Sequence, residues 1–130
     1  MGNIHHRQLS EVAFSDTDAS EWVHFSKILS YVENAVHRFF HSLGISVFSN
    51  NSAWPRVKKS CDYRSPLRFQ YPFEVILSLT KIGISSIHRQ FQILKPATAL
   101  VAEGEMASAK VDSPRTPTAI TVGERTKLLE

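Results

Sequence analysis

Between Phe25 and Leu43 the apolar residues Phe25, Ile28, Leu29, Val32, Val36, Phe39, Phe40 and Leu43 fall at helical spacing. They form one wide stripe along an α-helix. Gly44 follows as a C-terminal stop, because glycine enters the left-handed region without a Cβ penalty. A stripe this broad and this rich in bulky side chains predicts a helix buried on most of its sides. A sheet wrapped around the helix does that.

The remainder of the chain supplies the sheet. Gln8 to Phe14 reads as a short strand before the helix. After it, Ser46 to Trp54 is a polar connection with turn residues at Asn50, Asn51 and Ser52. Pro55 to Tyr63 reads as a strand with a basic start, and Ser65-Pro66-Leu67 marks a corner. Phe73, Val75, Leu77 and Leu79 then alternate with Glu74, Ile76, Ser78 and Thr80. Ile87, Arg89, Phe91 and Ile93 alternate with Ser86, His88, Gln90 and Gln92, and a third run extends from Ala99 toward Val111. Period-two alternation of this kind argues half-buried antiparallel strands. The order is strand, long helix, four strands: an α+β plan in one domain, residues 1–130, whose helix is the core of its sheet. From Ser113 the tail reads as loosely structured, with one helical turn at Glu124 to Leu129.

Composition narrows the partners. A hydrophobic content of 42 % suffices for one core, and a net charge of +3 suits an anionic small ligand. No dense Lys/Arg run with interleaved aromatics is present, so nucleic acid is not an expected partner. Cys61 is the only cysteine, which excludes an intramolecular disulfide and suits a reducing compartment. MGNIHHRQLS lacks the apolar core of a signal peptide, and no apolar run is long enough to span a bilayer. The expectation is a cytoplasmic protein without membrane contact. His37 and His41 share a helix face, but Arg38 stands where the metalloprotease pattern needs a Glu, so no metal is expected. Cys61 reads as a small buried hydrophobe.

The chemistry concentrates where Asp16-Thr17-Asp18-Ala19 runs into the helix. A helix start offers unpaired backbone N–H groups and a partial positive charge. An acyl oxygen gaining negative charge is stabilised by such donors. A carboxylate beside it can attack the acyl carbon or activate water. From spacing alone, either Asp equally serves as a helix cap.

FSDTDASEWVHFSKILSYVENA resembles the first-strand and helix signature of hotdog-fold acyl-CoA thioesterases of the 4-hydroxybenzoyl-CoA thioesterase type. Their pattern is a strand, then D-x-D-x-x-G-x-V, then a helix with Y-x-E-x-A. Asp16, Asp18, Val23, Tyr31, Glu33 and Ala35 stand at the matching places. Asp62-Tyr63-Arg64-Ser65-Pro66-Leu67, Ile82-Gly83-Ile84-Ser85-Ser86-Ile87, Ala102-Glu103-Gly104-Glu105 and Val111-Asp112 extend the likeness over nearly the whole chain. One departure is Glu21, where the family usually has Gly.

The resemblance implies a hotdog fold, a curved antiparallel sheet around one long central helix, and hydrolysis of an acyl-CoA thioester without metal or redox cofactor. It carries the catalytic carboxylate to Asp18. The thioester oxygen falls to a backbone N–H at the helix start, within Val23, His24 and Phe25; His24 is alternatively a proton carrier or a pocket-lining residue. Glu33 is an acid near the acyl pocket or a solvated, ion-paired one. The CoA phosphates fall to Ser85 and Ser86, with Ser86 the better match, and to the nearby charges His88, Arg89, Arg125 and Lys127. A homodimer or homotetramer with its site at the subunit seam is implied. Two other readings stand beside hydrolysis of acyl-CoA: a thioesterase acting on acyl carrier protein, and a non-catalytic hotdog module that binds acyl-CoA or a protein partner.

Overall fold

The computed structural model describes residues 3–17, 22–23, 25–45, 52–95, 99–112 and 116–129. Strand β1 (Asn3–Glu11) precedes helix α1 (Phe25–Ser42), followed by β2 (Ser52–Ala53), β3 (Arg56–Tyr63), β4 (Pro72–Ile82), β5 (Ser86–Lys95), β6 (Ala99–Ala109), β7 (Val111–Asp112) and α2 (Val122–Leu129). Five strands make one antiparallel sheet in the order β1-β4-β5-β6-β3, while β2 and β7 pair separately. The first strand thus begins before Gln8 and ends before Phe14. Phe14–Asp16 is instead a single 3-10 turn.

Register follows the apolar alternation. Leu77 pairs with Phe91, Phe91 with Gly104, and Gly104 with Cys61, so one rung crosses four strands. Phe73, Val75 and Leu77 of β4 and Ile87, Phe91 and Ile93 of β5 are buried on the face that meets α1. From the helix, Ile28, Val32, Ala35, Val36, Phe39 and Phe40 enter the same core, as its spacing requires. Gly104 is needed at its rung: a Cβ there would collide with the Ser60 carbonyl oxygen and the edge of the Phe91 ring.

Both ends of the fold have defined stops. At the end of α1, Gly44 takes φ 73° and the Ile45 N–H donates back to the Phe40 carbonyl at 3.0 Å. This is the glycine-terminated Schellman arrangement. Helix α2 opens on a reciprocal cap in which the Thr121 N–H donates to Glu124 Oε1 and the Glu124 N–H donates to Thr121 Oγ1. That Thr-x-x-Glu capping box carries the C-terminal helix to two turns rather than one. Its Leu128 is fully buried in the common core.

Candidate active site

The acidic turn is built by local bonds and then clamped from outside. The Thr17 N–H and hydroxyl both donate to the Phe14 carbonyl, at 3.1 and 2.7 Å. Thr17 also forms an antiparallel bridge with Val23. A second segment holds both flanks of this loop. The Val23 N–H donates to the Leu67 carbonyl at 2.8 Å, and Trp22 bridges Arg68. Val12 exchanges bonds with Tyr71 and Gln70, where Gln70 is held at φ 69°. The Arg68 guanidinium lies 4.8 Å from the centre of the Trp22 ring. Phe14 and Phe69 meet edge-on at 5.5 Å, both with substantial exposure.

Asp16 has a defined partner. The Tyr31 hydroxyl, one turn and a half into α1, donates to Asp16 Oδ2 at 2.8 Å. The Tyr31 ring packs on Phe73 at 4.6 Å. Burial first, then the bond to and charge of Asp16, push the Tyr31 phenol well above its ordinary range. Tyr31 therefore stays a donor at any working pH, and Asp16 is committed to positioning the turn. Asp18 and His24 lie outside the described residues, as does Glu21.

The bonding at the helix start narrows which N–H is available there. Val23 cannot offer its N–H to an acyl oxygen while that group is bonded to Leu67. Phe25 is the first residue of α1, a position whose N–H has no intrahelical acceptor; its side chain is not among those described. Glu33 takes the ion-paired of its two readings. Its Oε1 receives Arg56 Nε and Lys59 Nζ, each at 3.1 Å, and so ties α1 to the edge strand β3. Burial pushes the Glu33 carboxyl up, but the two cations outweigh this and hold it below the usual carboxylate value. The sequence pattern marked Glu33 without revealing β3 as the source of its partners, since the contact spans 23 positions.

The residues assigned to phosphates do not form one group. Ser85 and Ser86 shape the β4–β5 turn: the Ser85 carbonyl accepts from the Lys110 N–H at 2.7 Å, and the Ser86 carbonyl accepts from the Gly83 N–H at 2.8 Å. Arg125 joins this turn from α2, donating through one terminal nitrogen to the Gly83 carbonyl at 2.6 Å and the Ile84 carbonyl at 3.3 Å. Lys127 is exposed, with its ammonium close to Gly44 at the end of α1. His88 alternates onto the sheet face opposite Arg89. Arg89 points inward and is 2 % exposed, so it does not present a guanidinium to a phosphate at the surface; period-two alternation had already put it on the apolar face.

Scale separates the two halves of the expected site. The loop around residues 17–23 adjoins Leu67 to Tyr71, just before β4, whereas the Ser85–Ser86 turn follows its end. Eleven residues of β4 at about 3.3 Å each put them roughly 30 Å apart in one chain. A groove elsewhere, on the outer sheet face, is lined by Ser60, Asp62, Ser78, Gln90, Glu103 and Glu105 among others. It touches neither half. Among the described residues no three His, Cys, Asp or Glu side chains gather as a metal site, and no helix is long and apolar enough to cross a membrane.

A five-stranded antiparallel sheet packed on an α-helix is the α+β plan that the sequence pattern implied. The chain belongs to the thioesterase-like superfamily, whose family model matches residues 12–121. It superposes on a 1,4-dihydroxy-2-naphthoyl-CoA thioesterase from Synechocystis with a TM-score of 0.89 at 19 % identity, over 96 % of each chain. A gentisyl-coenzyme A thioesterase gives 0.82 at 20 % identity, covering 92 % of this chain and 98 % of that one. A protein from Staphylococcus aureus solved in complex with CoA gives 0.89 at 16 % identity, covering 99 % and 84 %. At these identities the likeness speaks for the fold. No curated protein sequence matches this chain.

Proposed function

We propose that this protein hydrolyses an acyl-CoA thioester to a free carboxylic acid and CoA. The observation that carries the reading is membership of the thioesterase-like superfamily over residues 12–121, a span that includes the clamped acidic turn and the start of α1. In this reading α1 is the central helix of a hotdog fold and the sheet curves about it. The acyl oxygen sits at a backbone N–H of His24 or Phe25, where the helix end stabilises developing negative charge. Asp18 attacks the acyl carbon or takes a proton from the attacking water. The carbon–sulfur bond breaks and CoA departs as the thiolate, which takes up a proton; where Asp18 is the nucleophile, water then hydrolyses the acyl–Asp18 anhydride, releasing the free acid and restoring the carboxylate. Asp16, engaged by Tyr31, positions the turn and does not compete for the role.

The CoA phosphates meet Ser85, Ser86 and Arg125 at the β4–β5 turn. Because that turn lies roughly 30 Å along β4 from the acidic loop of the same chain, one substrate engages both only when two copies contribute. A homodimer or homotetramer is therefore part of the proposal. So is a cytoplasmic location, which the free thiol of Cys61 suits.

The test is thiol release from a panel of CoA esters, with the same acyl groups on acyl carrier protein in parallel. Asp18→Asn should lower turnover at least about a thousandfold while the circular dichroism spectrum stays unchanged. Undiminished turnover in that variant ends the assignment to Asp18. Tight binding of CoA esters with no thiol release would identify a non-catalytic hotdog module instead.

A further inference from the structure

Among the described residues, three buried donors near the far end of α1 lack an acceptor. Among the described residues, Trp54 Nε1 and both terminal nitrogens of Arg89 are buried side-chain atoms with no hydrogen-bond partner. All three surround one side chain. The Arg89 guanidinium carbon lies 4.9 Å from the centre of the Phe40 ring and 5.9 Å from that of Phe39. Trp54 meets the same Phe40 ring edge-on at 5.3 Å.

Among the described residues, no carboxylate is paired with these donors. The charged group acting on Arg89 is Arg56, which has the same sign. Glu33 is taken by Arg56 and Lys59, and Lys110, 5.8 Å from the Trp54 ring centre, is paired with Glu124. Burial first, and Arg56 second, lower the Arg89 guanidinium to about 9, so it remains a cation at neutral pH. The cation–ring contacts offset only part of the cost of withdrawing a guanidinium from water without a counter-ion. An apolar side chain at position 89 would pack among Phe39, Phe40 and Met106 without that cost. The deficit is what a bound anion relieves; a water molecule would bring an acceptor but no charge.

We propose that the interior around Phe40 is a binding site for a carboxylate anion, with Arg89 donating through both terminal nitrogens and the Trp54 indole N–H as a further donor. The planar guanidinium fork matches two coplanar oxygens. The rings of Phe39, Phe40 and Trp54 form an apolar wall for the group that bears them. Phe39 lies fourteen residues beyond Phe25, roughly 20 Å along α1, so this site is separate from the acidic turn and independent of its chemistry.

The full chain carrying Trp22→Phe makes Trp54 its single indole reporter. Sodium benzoate and sodium acetate are titrated, with sodium phosphate and sodium chloride as arms at matched ionic strength. Benzoate should produce a saturable change in Trp54 emission and raise the thermal midpoint by about 5 °C near saturation, with acetate weaker. Arg89→Met should abolish both responses while folding at least as stably as its parent, because a buried charge has gone. Arg89→Gln, which keeps donors without the charge, should weaken binding at least tenfold. A stronger response to phosphate would make this a phosphoryl site and overturn the carboxylate assignment. An equal response to chloride, no saturable response, or unchanged affinity in Arg89→Met would overturn the site itself.

Discussion

Tyr31→Phe removes one hydroxyl and leaves the ring on Phe73, so it isolates the bond to Asp16. No cavity opens, and the cost is that of the hydrogen bond alone. Bonds to charged acceptors contribute about 1.5–3 kcal/mol. Tyr31 is only half-buried, so water replaces part of the interaction and the expected loss is about 1.5 kcal/mol. For a chain of this size that lowers the thermal midpoint by about 6 °C. Asp16→Ala and the double variant complete a cycle whose coupling energy should be about 1 kcal/mol or more. With Asp18 as the proposed catalytic carboxylate, Tyr31→Phe should lower kcat about tenfold in steady-state thiol release with KM nearly unchanged, since a turn free to drift misplaces that neighbour. A coupling below about 0.3 kcal/mol would refute the bond as a determinant of stability. A full loss of stability with kcat intact would refute the positioning role.

Acid sensitivity follows from Glu33 and Glu124. Burial raises the Glu124 carboxyl, but Lys110 and the Thr121 cap together hold it below the ordinary value, as Arg56 and Lys59 do for Glu33. Both folded values lie under the unfolded ones, so their stabilisation is present in full above the unfolded carboxylate range and is lost as pH falls through the folded values. Urea midpoints measured from pH 6 down to pH 3 should decline less steeply in Glu33→Gln and Glu124→Gln than in the parent; parallel declines would contradict the pairing. Two glycines should respond with opposite signs. Gly104→Ala forces a Cβ against the Ser60 carbonyl and should cost about 3 kcal/mol or prevent folding. Gly123→Ala in α2 meets only Thr121 Oγ1 at 4.0 Å and should stabilise by about 0.5–1 kcal/mol. Denaturant titration reads both, and a neutral Gly104→Ala would mean that β3 and β6 are not so closely apposed.

Local pattern determined a good deal of this protein on its own. The stripe from Ile28 to Phe40, the stop at Gly44 and the alternation in β4, β5 and β6 each depend on neighbours a few positions apart, because a helix or strand repeats over that range. The acidic turn before α1 was legible for the same reason, and the family likeness added the expectation of a site there. The capping box at Thr121 and Glu124 was equally present in the sequence, but its polar surroundings masked the two-turn helix that it starts. Only tertiary structure decided which carboxylates have partners. Asp16 meets Tyr31 across fifteen positions, Glu33 meets Arg56 across twenty-three, and Glu124 meets Lys110 across fourteen. It also took the Val23 N–H for Leu67 and brought Arg89 against the Phe40 ring. Such outcomes depend on which surfaces the packed sheet and helix bring within about 3 Å of each other, a long-range condition that no local run of residues encodes.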